Sequence, residues 1–509
     1  MAARFLLRPS RLTLGDLRRF QGERPRVVLA EAVRRRMRRS RAVVDRRIRD
    51  RRPTYGINTG FGSLAGRSIS PADLAELQRR LITSNAAGTG PLMAPDDVRR
   101  MMLLKVNALA SGLSGVRPQL ATALLAMLNA GVLPCVPVKG SVGASGDLAP
   151  LAHMGAALIG EGDVMLGGRI MPARAGLRRA GINPFELAAK EGLAIVNGTQ
   201  ASTALAVGGL FASENVFAAA IVAGALSVEA ALGQTGAFDP RLHAARAQPG
   251  QIATAAAYAR LLRGSAVRRI ARREGRLQDP YCLRCQPQVM GACLDQLNHG
   301  AAVLRREINA WTDNPMIAPD GEVIYGGNFH AEPIGFAADG MALALAEIGA
   351  MSERRIAMLT DAHHSLLPAF LIAGGDLDSG FMVAQVTAAA LASENKMLAH
   401  PATADSIPTT ANHEDFVSMA TFAARRLEDM ADNSAGIVAI ELLAACQGLE
   451  FRRPVRSSKA LESAVDLVRA RVPRYEQDRF FAPDIAAVKQ LVRDGHFLPW
   501  LSADLRFGA

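Results

Sequence analysis

The 509-residue sequence predicts an all-α fold with a long helical bundle core and a mixed N-terminal region that supplies loops to it. Three observations predict this. Hydrophobic residues make up 49% of the chain but aromatics only 5%, a composition that suits helices packed closely through small side chains better than a β-sandwich. Helical periodicity recurs over long stretches, at 201–233, 250–275, 288–310, 336–360, 380–399, 416–448 and 455–471. Polar turns such as LQDPYCLRCQPQ, TDNPM, GGNFHAEP and ANHEDF separate them.

Residues 34–52, RRRMRRSRAVVDRRIRDRR, hold eleven arginines against Asp45 and Asp50. They read as a helix with Val33, Met37, Val43, Val44 and Ile48 on or near an apolar side. This segment carries +9 of the net +12, leaving +3 for the rest, so the pI near 10.1 does not mark a basic domain. A solvated helix face is expected, and nucleic acid is not an expected partner. Residues 53–66, PTYGINTGFGSLAG, read as a loop. Helical patterns at 71–90 and 95–130 are broken by GTGPL and then by Gly131 and Pro134. A buried helix is expected from Asp147 to Ile159, another helix over 181–200 ending in the turn VNGTQ, and minor strands around 163–171 and 317–325. The organisation expected is a basic helical segment (1–52), a loop-bearing N-terminal region (53–200) and a helical bundle (201–509), forming one continuous unit.

The longest apolar stretch, Val216–Val228, contains Gly224 and Ser227 and stops at Glu229. It falls short of the roughly 20 residues of a membrane span, so a buried core helix is expected and a membrane partner is not. The N-terminus, MAARFLLRPSRLTL, lacks a long apolar segment with a small-residue cleavage site, and no secretory signal is expected. Five cysteines, few and odd in number, point to a reduced, cytoplasmic setting. Cys282-Leu-Arg-Cys285 has half the spacing of a zinc ribbon but no second CxxC. His330, His363, His364 and His400 form no compact H-x₃-H or HExxH pattern. No metal is expected.

Residues 140–150, GSVGASGDLAP, concentrate glycine around one serine. A tight turn accounts for one or two of these glycines. Ala144-Ser145-Gly146 also permits a cyclisation. The Gly146 nitrogen attacks the Ala144 carbonyl carbon to close a five-membered ring, and one water leaves. A second water leaves as Ser145 loses its hydroxyl and Cα proton, giving a methylidene conjugated to an imidazolone. The chain must fold back sharply, which glycine permits. Asp147 is placed to help remove protons or to cap the following helix.

GSVGASGDLAPLAHM resembles the signature of the histidine and aromatic amino-acid ammonia-lyases, and the resemblance extends well beyond that loop. YGINTGFG (55–62), EGLAIVNGTQ (191–200), QDPYCLRCQPQVMGACLDQL (278–297), DNPM (313–316), GGNFHAEP (326–333), SGFMVAQVTAAALASENK (379–396) and NHEDFVSM (412–419) are similar to the family in the same order and cover most of 53–450. The histidine-type members are the closer match. The resemblance implies a 4-methylidene-imidazol-5-one (MIO) formed autocatalytically from Ala144-Ser145-Gly146, with no external cofactor. It also implies an amino-acid substrate and a homotetramer whose sites combine several subunits. Tyr55 is implied as the base for the β-proton and Arg284 as the clamp on the substrate carboxylate. Tyr281 and Asn197 orient the prosthetic group and carboxylate, Gln278 and Glu414 bind the substrate ring or manage the amine proton, and Phe329 walls the pocket.

The sequence departs from the histidine-type pattern at TSNAAG (83–88), where Asn85 stands in place of a histidine that faces the substrate ring. Asparagine still donates or accepts a hydrogen bond but cannot titrate. Three readings follow: an ammonia-lyase acting on L-histidine to give trans-urocanate, a lyase or 2,3-aminomutase for another aryl or heteroaryl alanine, and a catalytically silent paralogue that binds a partner.

Overall fold

Two 31-residue helices, Gln200–Ala230 and Ala420–Glu450, pack side by side and are buried along almost their whole length. The first has apolar or small residues on every face, as a helix surrounded by protein requires. Small residues set the spacing: a side chain at Gly209 would collide with Leu427 of the neighbouring helix. Glu332–Thr360 packs on Ala420–Glu450, Gln286–Glu307 packs on Glu332–Thr360, and Pro249–Leu262 and Met382–Leu398 complete the bundle. Helix accounts for 59% of the protein and strand for 7%, so the class is all-α as expected.

This computed structural model describes residues 4–60, 66–374 and 377–507; residues 61–65 of the expected 53–66 loop lie outside the described part. One continuous cluster of buried apolar side chains runs from Phe5 to Phe507. The helices Gln200–Ala230 and Glu332–Thr360 are long and apolar enough to cross a membrane by length and composition. Their most apolar windows are 83% and 61% buried inside the protein, which identifies both as core helices.

The bundle contains one fully buried ion pair of direct architectural consequence. Arg355 and Glu441 are both 0% exposed and joined at 2.5 Å. Ser227 and Ser352 donate to the same carboxylate at 2.7 and 2.6 Å. One glutamate therefore ties together the three longest helices. Both oxygens of the carboxylate are satisfied, whereas Arg355 Nη1 is buried without a partner, so the pair is costly to bury and costlier to break on one side.

The arginine-rich segment is a helix, Glu31–Arg49, with Val33, Met37, Ser40 and Val44 buried. Val43 and Ile48 pack beside Val44, Ile57 and Ile317. Two of its arginines are structural: Arg36 donates to Ala110 O (2.7 Å) and Arg41 to Ala189 O (2.8 Å). Strands form at Asp163–Leu166 and Arg169–Pro172, and at Met316–Ile317 and Val323–Ile324, where minor strands are expected. Three periodic stretches are shorter or divided. The pattern over 181–200 yields only Glu191–Val196, because Pro184 keeps the preceding segment extended and Lys190 adopts a left-handed φ of 74° at the helix start. The 95–130 pattern divides into Pro95–Ala110 and Pro118–Ala130, and 250–275 into Pro249–Leu262 and Val267–Glu274.

All five cysteines are free thiols. Burial pushes Cys293 and Cys446 up to about 12, so neither is a thiolate near neutral pH.

Glu441→Gln leaves Arg355 buried against a neutral partner and is expected to cost about 3–5 kcal/mol. A thermal melt should show a clear fall in midpoint. Arg38→Ala, which breaks an exposed pair with Glu31, should leave the midpoint unchanged.

Candidate active site

The 140–147 loop is shaped by glycines. Gly143 and Gly146 hold φ of 68° and 77°, values that favour glycine. A Cβ on Gly146 would overlap the Gly198 carbonyl, and one on Gly143 would overlap the Ser418 hydroxyl. The loop is thus pressed between the start of Gln200–Ala230 and the start of Ala420–Glu450. Asp147 N donates to Gly198 O (2.8 Å), Met419 N to Val142 O (2.9 Å), and Ser418 Oγ to Gly143 O (3.0 Å).

Asp147 does not cap the helix that follows it, Leu148–Leu158. Its carboxylate turns the other way. It accepts from Ser202 N (2.7 Å), Ser202 Oγ (2.9 Å), Thr421 Oγ1 (2.7 Å) and Ser141 Oγ (3.1 Å). The side chain is fully buried, and that burial raises its pKa against the pull of the four hydrogen bonds. Capping fails because the first turn of Gln200–Ala230 offers its free N–H to a site that excludes water.

Above this loop lies a cavity of about 630 Å³. Tyr55, Asn85, Ala144, Ser145, Asn197, Phe329 and Glu414 all line it. Ser145 Oγ donates a short hydrogen bond to Glu414 Oε1, whose other oxygen accepts from Thr409 (2.9 Å) and Thr410 (2.8 Å). Asn197 Nδ2 donates to Ser145 O (2.9 Å), while Asn197 Oδ1 is buried without a partner. Asn85 ends the helix Leu74–Asn85 and spends its Nδ2 on Leu81 O (2.7 Å). Its carbonyl oxygen remains for the cavity. Tyr55 meets Tyr325 edge-on, with centroids 6.5 Å apart. Gly146 sits behind the wall, against Gly198.

Gln278, Tyr281 and Arg284 do not line the cavity. Gln278 and Tyr281 are exposed, Tyr281 at 69%. Arg284 stacks its guanidinium 4.5 Å over the Tyr281 ring and donates to Asp279 O (3.0 Å). These three residues form a separate surface group at the helical turn Tyr281–Arg284.

The cavity also gathers residues that sequence reasoning did not assign to it: Asn314, Tyr325, His330, Thr410, His413 and Phe416. Of these, His330 bonds Phe416 O (3.2 Å) and stacks on its ring. The polar turns DNPM, GGNFHAEP and ANHEDF carry four of the six, and Tyr325 and Thr410 immediately precede two of them, so clustered polar turns were the available signal. Among the described residues, no three His, Cys, Asp or Glu side chains gather to hold a metal.

The Ala144-Ser145-Gly146 turn fits the ring that its sequence permits. Position 146 admits only glycine, the Ser145 hydroxyl reaches a carboxylate, and its carbonyl meets an amide donor.

Comparison with known proteins places the chain in a family. The sequence model of the aromatic amino acid lyase family matches residues 12–470. A histidine ammonia-lyase from Aromatoleum aromaticum is 58% identical over 96% of this chain and 94% of its own length. The crystal structure of a histidine ammonia-lyase from Trypanosoma cruzi superposes with a TM-score of 0.92 at 39% identity, covering 99% of this chain and 97% of the other. A tyrosine aminomutase from Streptomyces globisporus also superposes with a TM-score of 0.92, at 35% identity over 98% of both chains. By sequence over nine-tenths of its length and by fold over nearly all of it, this chain belongs to the aromatic amino acid lyase family.

Proposed function

We propose that the protein is a carbon–nitrogen lyase that eliminates ammonia from L-histidine to give trans-urocanate. The observation that carries this reading is the seat of Ser145, whose hydroxyl meets Glu414 and whose carbonyl meets Asn197 at the base of the cavity. The relatives named as histidine ammonia-lyases support the substrate.

Elimination from an α-amino acid faces a poor leaving group and a weakly acidic β-proton. The methylidene-imidazolone formed from Ala144, Ser145 and Gly146 supplies an electrophilic carbon that turns the amine into a leaving group. The chain's own residues do the rest. Asn197 holds the Ser145 carbonyl oxygen through its N–H, where electron density gathers. Tyr55 takes the β-proton at its phenol oxygen. Glu414, already bonded to the residue 145 side chain, takes and returns the amine proton. Asn85 Oδ1 accepts from a ring N–H, and Phe329 closes the apolar side.

The carboxylate clamp is Arg284, which the single chain keeps on its surface with Tyr281 and Gln278. We infer a homotetramer in which these three residues complete the cavity of another subunit. The exposure of Tyr281 supports this. Free thiols throughout fit a cytoplasmic setting.

Asn85 favours one second reading, a lyase or 2,3-aminomutase for another aryl alanine, because it lacks the titrating ring of the family's histidine.

The reading is tested by incubating the purified protein with histidine, tyrosine and phenylalanine and following ultraviolet absorbance of the conjugated acid. Histidine alone should react. Ser145→Ala fits the same turn but has no hydroxyl to lose, so it should abolish turnover and leave the protein's mass without the two-water deficit. Near-normal turnover in that variant would refute the chemistry. Arg284→Lys replaces a planar fork by a point charge and should weaken transition-state binding by about 1.5–3 kcal/mol, read from kcat/KM. Asn85→His should preserve or raise histidine turnover. A wild type inactive on histidine, with activity on another ring that falls in Asn85→His, selects the second reading.

A further inference from the structure

Lys105 lies in the middle of the helix Pro95–Ala110, in a run buried from Val98 to Ala110. The side chain is 1% exposed. Lys190, equally buried, has a carboxylate partner in Asp313 at 2.7 Å. The Lys105 ammonium instead donates to two main-chain oxygens, Ala194 O at 3.1 Å and Asn197 O at 2.7 Å. Burial pushes it down to about 7, while Asp313 and Asp147 pull it back up. An apolar side chain of the same length would fill this space without that cost.

The two acceptors mark the C-terminal end of the short helix Glu191–Val196. The start of that helix is fixed by ion pairs, Arg117 with Glu191 at 2.7 Å and Lys190 with Asp313. Its end is fixed by Lys105. There Asn197 leaves the helix in extended conformation, and its side chain reaches Ser145 O at 2.9 Å. One residue, Asn197, thus separates a buried ammonium from the carbonyl at which the chemistry takes place.

We propose that Lys105 is a positioning residue for the reaction at Ser145: its two hydrogen bonds fix the main chain of Asn197 so that the Asn197 amide stays aimed at the Ser145 carbonyl oxygen. This rests on the reading of the site given above. The carbonyl oxygen receives electron density twice. The first time is when Ser145 loses its Cα proton and hydroxide, which leave together as water. The second is when the substrate nitrogen adds to the side-chain carbon of residue 145. A donor held in place beforehand helps both steps because it need not reorganise as charge develops. Positioning should therefore act on formation of the electrophile and on turnover, and little on substrate capture.

The test uses the full-length protein and three variants: Lys105→Met, Lys105→Arg and Lys105→Gln. Intact mass gives the fraction of chains lighter by two waters, and kcat is expressed per mature chain. In Lys105→Met, chains that have lost one water or none should accumulate. Its kcat per mature chain should fall at least about tenfold with KM within about threefold. Lys105→Arg, which keeps the charge and the donors, should recover most of both. A Lys105→Met protein that matures fully and turns over within about twofold of wild type overturns the proposal, since a purely structural lysine would lower only the melting temperature. Should Lys105→Met fail to fold, Lys105→Gln is read by the same two criteria, because its amide is too short to reach both oxygens. If neither folds, the role is one of folding alone and the proposal falls. A wild-type chain with no two-water deficit refutes the reading of the site itself, an outcome distinct from a mature but unaffected variant.

Discussion

The Asp147 carboxylate is the constraint on which the site is built. It is sealed from water and satisfied by four donors from three segments: Ser141 in its own loop, Ser202 at the start of one central helix and Thr421 at the start of the other. A buried carboxylate left short of partners costs several kcal/mol, so these segments cannot part independently. The loop that carries Ser145 is held against two of the longest helices in the protein. The bundle matters to the chemistry because it supplies two rigid helix starts to one carboxylate.

The fold was largely legible in the sequence, for reasons that particular elements make plain. Helices such as Ala420–Glu450 and Gln286–Glu307 are long, and long periodic segments leave little room for another assignment. What escaped was local competition. Pro184 and the left-handed Lys190 truncate the helix expected over 181–200. The parallel pair Arg4–Leu7 and Arg26–Leu29 escaped as well, because its stability comes from a partner 22 residues away and not from either four-residue strand.

The site was legible where a motif lies in one stretch of chain and less so where it is assembled. Ser145, Asn197 and Glu414 lie far apart in sequence and meet in the structure. The direction of the Asp147 side chain could not be read, since a cap on the next helix and a bridge to a distant one need the same residue. Lys105 gave no signal at all: a lysine within a helical stretch reads as solvated, and only packing reveals it as enclosed. Arg284 and Tyr281 are legible as a pair in the sequence, yet a single chain keeps them apart from the cavity.

The side-chain amide of Asn85 has its orientation fixed by its own helix. Leu81 O can only accept, so the nitrogen must face it and the oxygen must face the cavity. An amide is usually ambivalent, but this one has been made one-directional. It rewards a ligand that presents a hydrogen and leaves a lone pair unmatched. A ring bound against it would meet it as the imidazole tautomer protonated on the near nitrogen or through a phenol hydroxyl, whereas a plain benzene ring would strip it of water and give nothing back. If the ring sits against Asn85 as proposed, the hydrogen-bonding partner it meets there is set by one backbone carbonyl behind the amide.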